Sequence, residues 1–194
     1  MSAMKILLIR HGEVGDAYRG RFIGITDPPL SESGRAGCLA LRERVAALSP
    51  TRFFASPLRR AAETLELVMP SGAEARFDRR LAEIDFGEWE NLPFDDISRK
   101  ASPEELRIWA EEPEKMVFPR GESFAAFAAR VDAFGRELLA GPSPAVAVVT
   151  HGGVLMRLIS VWKNLPVSRQ HEVLPPRGSL TVFEFENGEL HHVE

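Results

Sequence analysis

Short apolar runs and longer amphipathic stretches alternate along the chain. Three runs have the length and apolar character of strands buried inside a sheet, at residues 5–9, 51–55 and 145–150. The amphipathic stretches have helical spacing and predict helices at residues 31–48, 58–69, 123–139 and 154–162. The third of these has a strongly apolar face, formed by Phe124, Phe127, Val131, Phe134 and Leu138.

The order of these elements predicts the fold class. Strands that alternate with helices favour an α/β protein, and we expect a three-layer α/β/α sandwich with a mostly parallel central sheet. Ser31 or Ser33 can cap the first helix. Near the end, residues 180–185 and 189–193 flank Asn187-Gly188, which is a strong signal for a hairpin turn.

Residues 88–120 differ in composition from the rest of the chain. This stretch is rich in proline, acidic residues and tryptophan, and it contains short helical pieces such as residues 103–111. We interpret it as a small helical insertion that lies over one end of the sheet and caps the active site. Because no repeat or linker divides the chain, we predict a single domain over residues 1–194.

The composition narrows the classes of function. The net charge is −4 and the pI is near 5.8, so we expect neither a nucleic-acid nor a membrane partner. Cys38 is the only cysteine, which excludes an intrachain disulfide and a site with several thiolate ligands. The apolar run at residues 6–9 is too short for a signal segment or a membrane span, and we expect a cytoplasmic enzyme.

Two of the predicted strands run directly into a histidine followed by a glycine. These are His11-Gly12, after the first strand, and His151-Gly152, after residues 145–150. The carboxyl ends of parallel strands form the ligand crevice of an open α/β sheet, so we expect both histidines at one edge. A third strand leads towards the same edge with Arg59 and Arg60.

Histidines and arginines at one edge favour phosphoryl-transfer chemistry. Arginine offers a planar set of donors that matches phosphate oxygens, and imidazole can attack phosphorus. A helix that begins after His151-Gly152 adds backbone N–H groups and the positive end of its dipole. We see no ligand set for a metal around the five histidines, and we predict a metal-independent enzyme without a cofactor.

The residue pattern alone leaves several alternatives open. A histidine at a strand end, such as His151, is more often a structural residue. Arg59 and Arg60 have the pattern of a solvated pair at the start of a helix, and neither is preferred. The acidic residues Glu83, Asp85, Glu88 and Glu90 are typical of a solvated face, and His191 and His192 of a structural or solvent-facing strand.

Several motifs together resemble the histidine phosphatase superfamily, which includes cofactor-dependent phosphoglycerate mutases, fructose bisphosphatases and alpha-ribazole phosphatases. The resemblance begins with the signature at residues 8–13 and extends in order along nearly the whole chain. The further matching segments are residues 24–34, 56–64, 81–90, 121–123 and 150–153.

The resemblance implies roles for individual residues. His11 would attack phosphorus and carry the phosphoryl group, while Arg10, Arg60 and His151 would hold the phosphoryl oxygens. It selects Arg60 rather than its neighbour, and it selects Glu83 as the general acid that protonates the leaving oxygen and then activates water. The implied substrate-binding residues are Arg10, Arg60, Glu13, Arg21, Gly24 and Gly152.

The chain departs from the family pattern near its signature. Val14 stands where many members have Thr, Ser or Gln, and Ala17 stands near an asparagine that contacts the phosphoryl group in many members. Arg19 and Arg21 follow in the same loop and would supply charge instead, unless the loop is simply solvated.

Three functions follow as hypotheses. The first is a phosphomonoesterase that hydrolyses a small phosphorylated metabolite through a phosphohistidine, with alpha-ribazole phosphate as one candidate. The second is a cofactor-dependent phosphoglycerate mutase, although the compact stretch at residues 89–120 favours entry of water. The third is a non-catalytic, phosphate-binding regulator. The sequence leaves the oligomeric state open.

Overall fold

A six-stranded sheet runs through the centre of the computed structural model, which describes residues 3–141 and 143–193. Residues 1, 2, 142 and 194 of the predicted domain therefore lie outside the described residues. The strands are β1 (Met4–Arg10), β2 (Arg52–Ala55), β3 (Ala75–Phe77), β4 (Ala145–Thr150), β5 (Leu180–Glu186) and β6 (Glu189–His192).

The strand order is β3-β2-β4-β1-β5-β6. The first four strands along the chain are parallel to one another, whereas β5 is antiparallel to β1 and to β6. The prediction of a mostly parallel sheet is therefore confirmed. The two central neighbours are β1 and β4, which pair from Lys5 with Ala145 to Arg10 with Thr150.

Helices cover both faces of the sheet, which confirms the predicted three layers. On one face, Leu7 and Ile9 of β1 pack with the first two helices, while Ile6 and Leu8 point to the opposite face. The helices are α1 (Glu32–Ala47), α2 (Arg59–Val68), α3 (Phe94–Lys100), α4 (Pro103–Glu111), α5 (Phe124–Ala140) and α6 (Gly152–Trp162). The last two form the second face, and the apolar side predicted for α5 is buried.

Local signals in the sequence explain where several elements begin and end. The hydroxyl of Ser31 accepts a hydrogen bond from the backbone N–H of Gly34 and caps α1, as predicted. Asn187 and Gly188 both have positive φ, as a tight hairpin turn between β5 and β6 requires. Helix α6 begins at Gly152, two residues earlier than predicted, so its first turn directly follows His151.

Strand β3 was not predicted from the sequence. It has only three residues, and two of them are exposed at the edge of the sheet. A short edge strand does not have the continuous apolar run that marks a buried strand.

The predicted insertion holds α3, α4 and two short 3₁₀ helices, Gly87–Trp89 and Pro113–Lys115. Its side chains pack against α5 through the same apolar core that lies under one face of the sheet. Among the described residues, no helix combines the length and the apolarity that crossing a membrane requires.

Candidate functional site

The two predicted histidines lie side by side at the carboxyl ends of the central strands. His11 follows β1 and His151 follows β4, and the backbone N–H of His11 donates to the carbonyl of Thr150. The ring centroids of the two histidines are 5.2 Å apart. The parallel pairing of β1 and β4 therefore brings together two residues that are 140 positions apart in the chain.

His11 is held as a neutral imidazole with a defined tautomer. Its Nδ1 lies 2.8 Å from the carbonyl oxygen of Gly12, and a carbonyl only accepts, so Nδ1 carries the proton. Burial lowers the pKa of His11 well below its usual value, and the charge of Arg60 lowers it further. The lone pair is consequently on Nε2, which is the arrangement a nitrogen nucleophile requires.

The second histidine is oriented by Ser56, at the end of β2. The hydroxyl of Ser56 lies 2.7 Å from Nε2 of His151 and accepts a hydrogen bond from the backbone N–H of Leu58. A hydroxyl oxygen can accept one hydrogen bond while its own proton is donated, so Ser56 can donate to Nε2. Burial, together with the charge of Arg60, keeps the pKa of His151 well below its usual value, so the ring is neutral, and with Ser56 donating to Nε2 its one proton lies on Nδ1.

Arg10 and Arg60 are held by backbone carbonyls. Nη1 of Arg10 donates to the carbonyl of Pro175 at 2.7 Å. The guanidinium of Arg60 is only 1% exposed and donates to the carbonyls of Gly24 at 2.7 Å and Thr26 at 2.8 Å. Neighbouring Arg59 is exposed and pairs with Glu63 instead, so the two arginines that the sequence pattern could not separate have different surroundings.

The site contains buried polar atoms that have no hydrogen-bond partner. Among the described residues there are four such side-chain atoms, and three of them are Nε of Arg10, Nε of Arg60 and Nδ1 of His151. Buried donors are normally satisfied in folded proteins. These three belong to the residues that the resemblance assigns to the phosphoryl oxygens, and each can donate to such an oxygen.

Glu83 is fixed at the beginning of α6. It is 8% exposed, and its Oε2 accepts a hydrogen bond from the backbone N–H of Gly153 at 2.9 Å. Its Oε1 accepts from the backbone N–H of Ile84. A side-chain methyl group at Gly153 would overlap Oε1, so the glycine makes the close approach of this carboxylate possible.

Arg130 of α5 supports the segment that carries Glu83, and the sequence analysis did not identify it. Its guanidinium donates to the backbone carbonyls of Ala82 and Glu83 at 2.7 and 3.1 Å. It also forms a paired contact with the carboxylate of Glu122. The spacing between Arg130 and Glu83 along the chain offers no signal for this contact.

The other acidic residues near Glu83 have different surroundings. The carboxylate of Glu90 accepts hydrogen bonds from the backbone N–H groups of Gly24, Ile25, Thr26 and Phe86, and it therefore holds the loop that contacts Arg60. Glu88 is exposed and pairs with Arg120. The predicted acidic cluster is thus not a uniformly solvated face.

A cavity of about 530 Å³ opens in front of these residues. Arg10, His11, Glu83 and Gly152 lie in its wall, whereas Arg60 and His151 do not line it. The rest of the wall is largely apolar, with six phenylalanine and tryptophan rings among its described residues, and comes in part from the insertion, which contributes Trp109, Ala110, Pro113, Met116 and Phe118. The cavity therefore has one charged end and one apolar end.

Only some of the predicted substrate-binding residues line the cavity. Arg21 lines the cavity and donates to the carbonyl of Asn91, whereas Arg19 is exposed and pairs with Asp16. Gly24 is buried, and its N–H faces the carboxylate of Glu90 rather than the cavity. The remaining residue, Glu13, is exposed outside the cavity wall.

Arg177 is a cation of the site that sequence reasoning missed. It lines the cavity, and its Nη1 donates to Oε2 of Glu13 at 2.9 Å. Burial lowers the pKa of both Arg10 and His11, and the charge of Arg177 lowers both further. The chain returns to β1 at this point, because the N–H of Gly178 donates to the carbonyl of His11 at 2.9 Å.

The charges around His11 suit an anion. Arg10, Arg60 and Arg177 all act electrostatically on its imidazole. Within residues 3–141 and 143–193, no three His, Cys, Asp or Glu side chains are grouped so that they could hold a metal ion. The absence of a cofactor stays a prediction.

Comparison with known proteins identifies the family. The model of the histidine phosphatase superfamily (branch 1) matches residues 6–194. This match includes the signature around His11 and the segments that carry Arg60, Glu83 and His151.

Several similar proteins are named as phosphatases, and others at 29–31% identity are named as probable phosphoglycerate mutases. Phosphoserine phosphatase 1 of Hydrogenobacter thermophilus is 35% identical over 136 residues, which are 70% of this chain and 64% of that protein. Glucosyl-3-phosphoglycerate phosphatase of Mycobacterium tuberculosis is 32% identical over 178 residues, which are 87% of this chain and 79% of that protein. The crystal structure of the alpha-ribazole phosphatase from Shigella flexneri superposes with a TM-score of 0.88 at 25% identity, covering 98% of this chain and 95% of that one.

Proposed function

The chain belongs to the histidine phosphatase superfamily, and on that premise we propose that it is a phosphomonoesterase that works through a phosphohistidine at His11. The observation that carries the proposal is the set of unpartnered buried donors on Arg10, Arg60 and His151, next to a histidine whose Nε2 has a free lone pair. A phosphoryl group at this position would supply the missing acceptors.

The first half of the reaction transfers the phosphoryl group to the enzyme. Nε2 of His11 attacks phosphorus as the bond between phosphorus and the alcohol oxygen breaks. Glu83 donates a proton to the leaving oxygen, and the alcohol departs. Arg10, Arg60 and Arg177 stabilise the charge that spreads over the three remaining phosphoryl oxygens.

The second half returns the site to its starting state. Glu83 removes a proton from a water molecule, which attacks phosphorus as the bond between phosphorus and Nε2 breaks. Inorganic phosphate leaves, and Glu83 is protonated for the next cycle. Acid–base assistance of this kind contributes about 10²- to 10⁴-fold to the rate.

The three phosphatases described above each have a different substrate in their name, so none of these substrates is assigned to this chain. We propose a small-molecule phosphate ester as the partner of the site, with alpha-ribazole phosphate as one candidate. We also propose a cytoplasmic location, since the single cysteine is typical of a reducing compartment.

Turnover of p-nitrophenyl phosphate, assayed beside isomerisation of 3-phosphoglycerate, tests the proposed function. We expect hydrolysis with negligible isomerisation, and a loss on the order of 10⁶-fold in His11→Ala. Efficient isomerisation with little hydrolysis would support the mutase instead. Hydrolysis that is unchanged in His11→Ala would overturn the nucleophile assignment.

A further inference from the structure

Beyond its charged end, the cavity is walled by apolar side chains from six separate parts of the chain. They come from the loop after β1, the segment that follows Glu83, the insertion, α5, α6 and residues 167–174. Met116, Phe118, Phe124 and Phe127 are buried, and Trp109 is partly buried. A wall of this kind recognises a ligand by burying apolar surface.

The aromatic part of this wall is already packed. Trp109 lies with its ring centroid 5.4 Å from Phe22 and 5.8 Å from Phe118. Phe86 meets Phe22 and Phe118 edge to face at 5.1 and 5.0 Å. Because these side chains hold one another in place, the apolar end is formed before a ligand enters.

The polar side chains that line the cavity away from the charged end are few and lie towards solvent. They are Arg21, Ser168, Gln170 and His171, of which three are exposed and Gln170 is partly exposed. A polyol or an amino acid attached to the phosphate would bring hydroxyl or ammonium groups against the aromatic wall. Such groups would lose their water without gaining partners, which disfavours them.

We propose that this site selects phosphomonoesters whose alcohol part carries an apolar ring. The phosphate binds at the charged end, and the ring lies against Trp109, Phe86 and Met156. This inference rests on the proposed phosphomonoesterase function and adds its substrate class. In this proposal the apolar wall discriminates between substrates, while His11 and Glu83 carry out the phosphoryl transfer.

Three esters of primary alcohols test the proposal because their leaving groups are chemically similar. These are 2-phenylethyl phosphate, ethyl phosphate and glycerol 3-phosphate. We expect kcat/KM for 2-phenylethyl phosphate to exceed that for glycerol 3-phosphate on the order of 100-fold. Equal values for the three esters would overturn the proposed selectivity and leave the phosphatase function intact.

Two variants of the wall locate the selectivity. In Trp109→Ala we expect kcat/KM for 2-phenylethyl phosphate to fall about tenfold, mostly through KM, while ethyl phosphate is unaffected. Met156→Gln keeps the side-chain volume and makes the wall polar, so it should also lower kcat/KM for 2-phenylethyl phosphate. This variant serves as the test if Trp109→Ala folds poorly. Phe94→Ala is the matched control, because Phe94 belongs to the insertion but is exposed and does not line the cavity.

The possible outcomes separate the two proposals. Selectivity that survives in both wall variants would overturn the role of the wall. Turnover that is absent for all three esters and for p-nitrophenyl phosphate would overturn the phosphatase function itself. Loss of selectivity in the wall variants, with Phe94→Ala unchanged, supports the inference.

Discussion

The two ends of the cavity are built in different ways. The charged end lies where β1 and β4 finish, and its side chains are fixed by hydrogen bonds to backbone groups, as in the contacts of Arg10 with Pro175 and of Glu83 with Gly153. The apolar end is formed by side chains from several parts of the chain, among them the insertion and α5, and its aromatic rings are held by packing against one another.

This difference suggests that chemistry and selection are divided between the two ends. Hydrogen bonds to backbone fix the position of a charge, as phosphoryl transfer requires. Packed aromatic rings offer apolar surface for contact but no directional hydrogen bonds. Such a surface suits discrimination between substrates that differ in their alcohol part. Variants at the charged end should therefore slow every phosphomonoester, whereas variants of the wall should change the ratio between them.

The largest effect within this comparison is expected for Glu83→Gln. The amide keeps the shape of the side chain but cannot exchange a proton, so kcat should fall about 10²- to 10⁴-fold for alkyl phosphates of every kind. Steady-state kinetics with the three esters above would measure it. Glu88→Gln is the control from the same acidic segment, because Glu88 is exposed and pairs with Arg120. Equal losses in both variants would contradict the assignment.

The second largest loss of activity is expected for Arg60→Lys. Lysine retains the charge but loses the planar set of donors, so we expect kcat/KM to fall about 10²- to 10³-fold for all three esters. Arg59→Lys changes an exposed residue of the same helix and should remain close to the wild type. Kinetics that are similar in the two variants would show that the buried guanidinium has no special role.

Gly153→Ala tests how strictly the carboxylate must be placed. The added methyl group would displace Oε1 of Glu83, and a shift of this size can cost about 100-fold in kcat. Gly37→Ala is the matched control in α1, where a methyl group meets no neighbour within 4 Å. Normal kcat in Gly153→Ala would mean that the contact between Gly153 and Glu83 does not position the acid.

The smallest expected effect is the dependence of the free energy of unfolding on pH. Burial lowers the pKa of His11 and His151 in the folded chain, so only the unfolded chain takes up protons there as the pH falls through about 6.5. The free energy of unfolding should therefore fall by about 2.7 kcal/mol between about pH 7.5 and 5.5, with about half of the decrease from each histidine. Urea unfolding would measure this decrease, which should be smaller in His11→Gln. A decrease of the same size in that variant would contradict neutral burial of His11.

The charged end could be predicted largely from the sequence. His11 and His151 follow the two most apolar strands, and strand ends of a parallel sheet lie at one edge. The choice of Arg60 over Arg59 required the family resemblance, since both begin the same helix. Arg177 could not be predicted, because nothing in its sequence spacing shows that its loop returns to His11.

The apolar end could not be predicted in the same way. The insertion was recognised from its composition, but which of its side chains face the cavity depends on tertiary packing. Trp109 and Phe118 have no period in the sequence that points to a shared wall, and Phe22 comes from a different part of the chain. Strand β3 was missed for a related reason, since it is short and mostly exposed.

Direct detection of a phosphoryl group on His11 tests the central claim most sharply. In Glu83→Gln, p-nitrophenyl phosphate needs little acid assistance to phosphorylate the enzyme, whereas dephosphorylation lacks its base, so the intermediate should accumulate. Rapid quenching in alkali followed by peptide mass spectrometry should show one phosphoryl group on the peptide that contains His11, labile to acid and absent in the double variant with His11→Ala. A phosphoryl group on another residue, or none during turnover, would contradict the account.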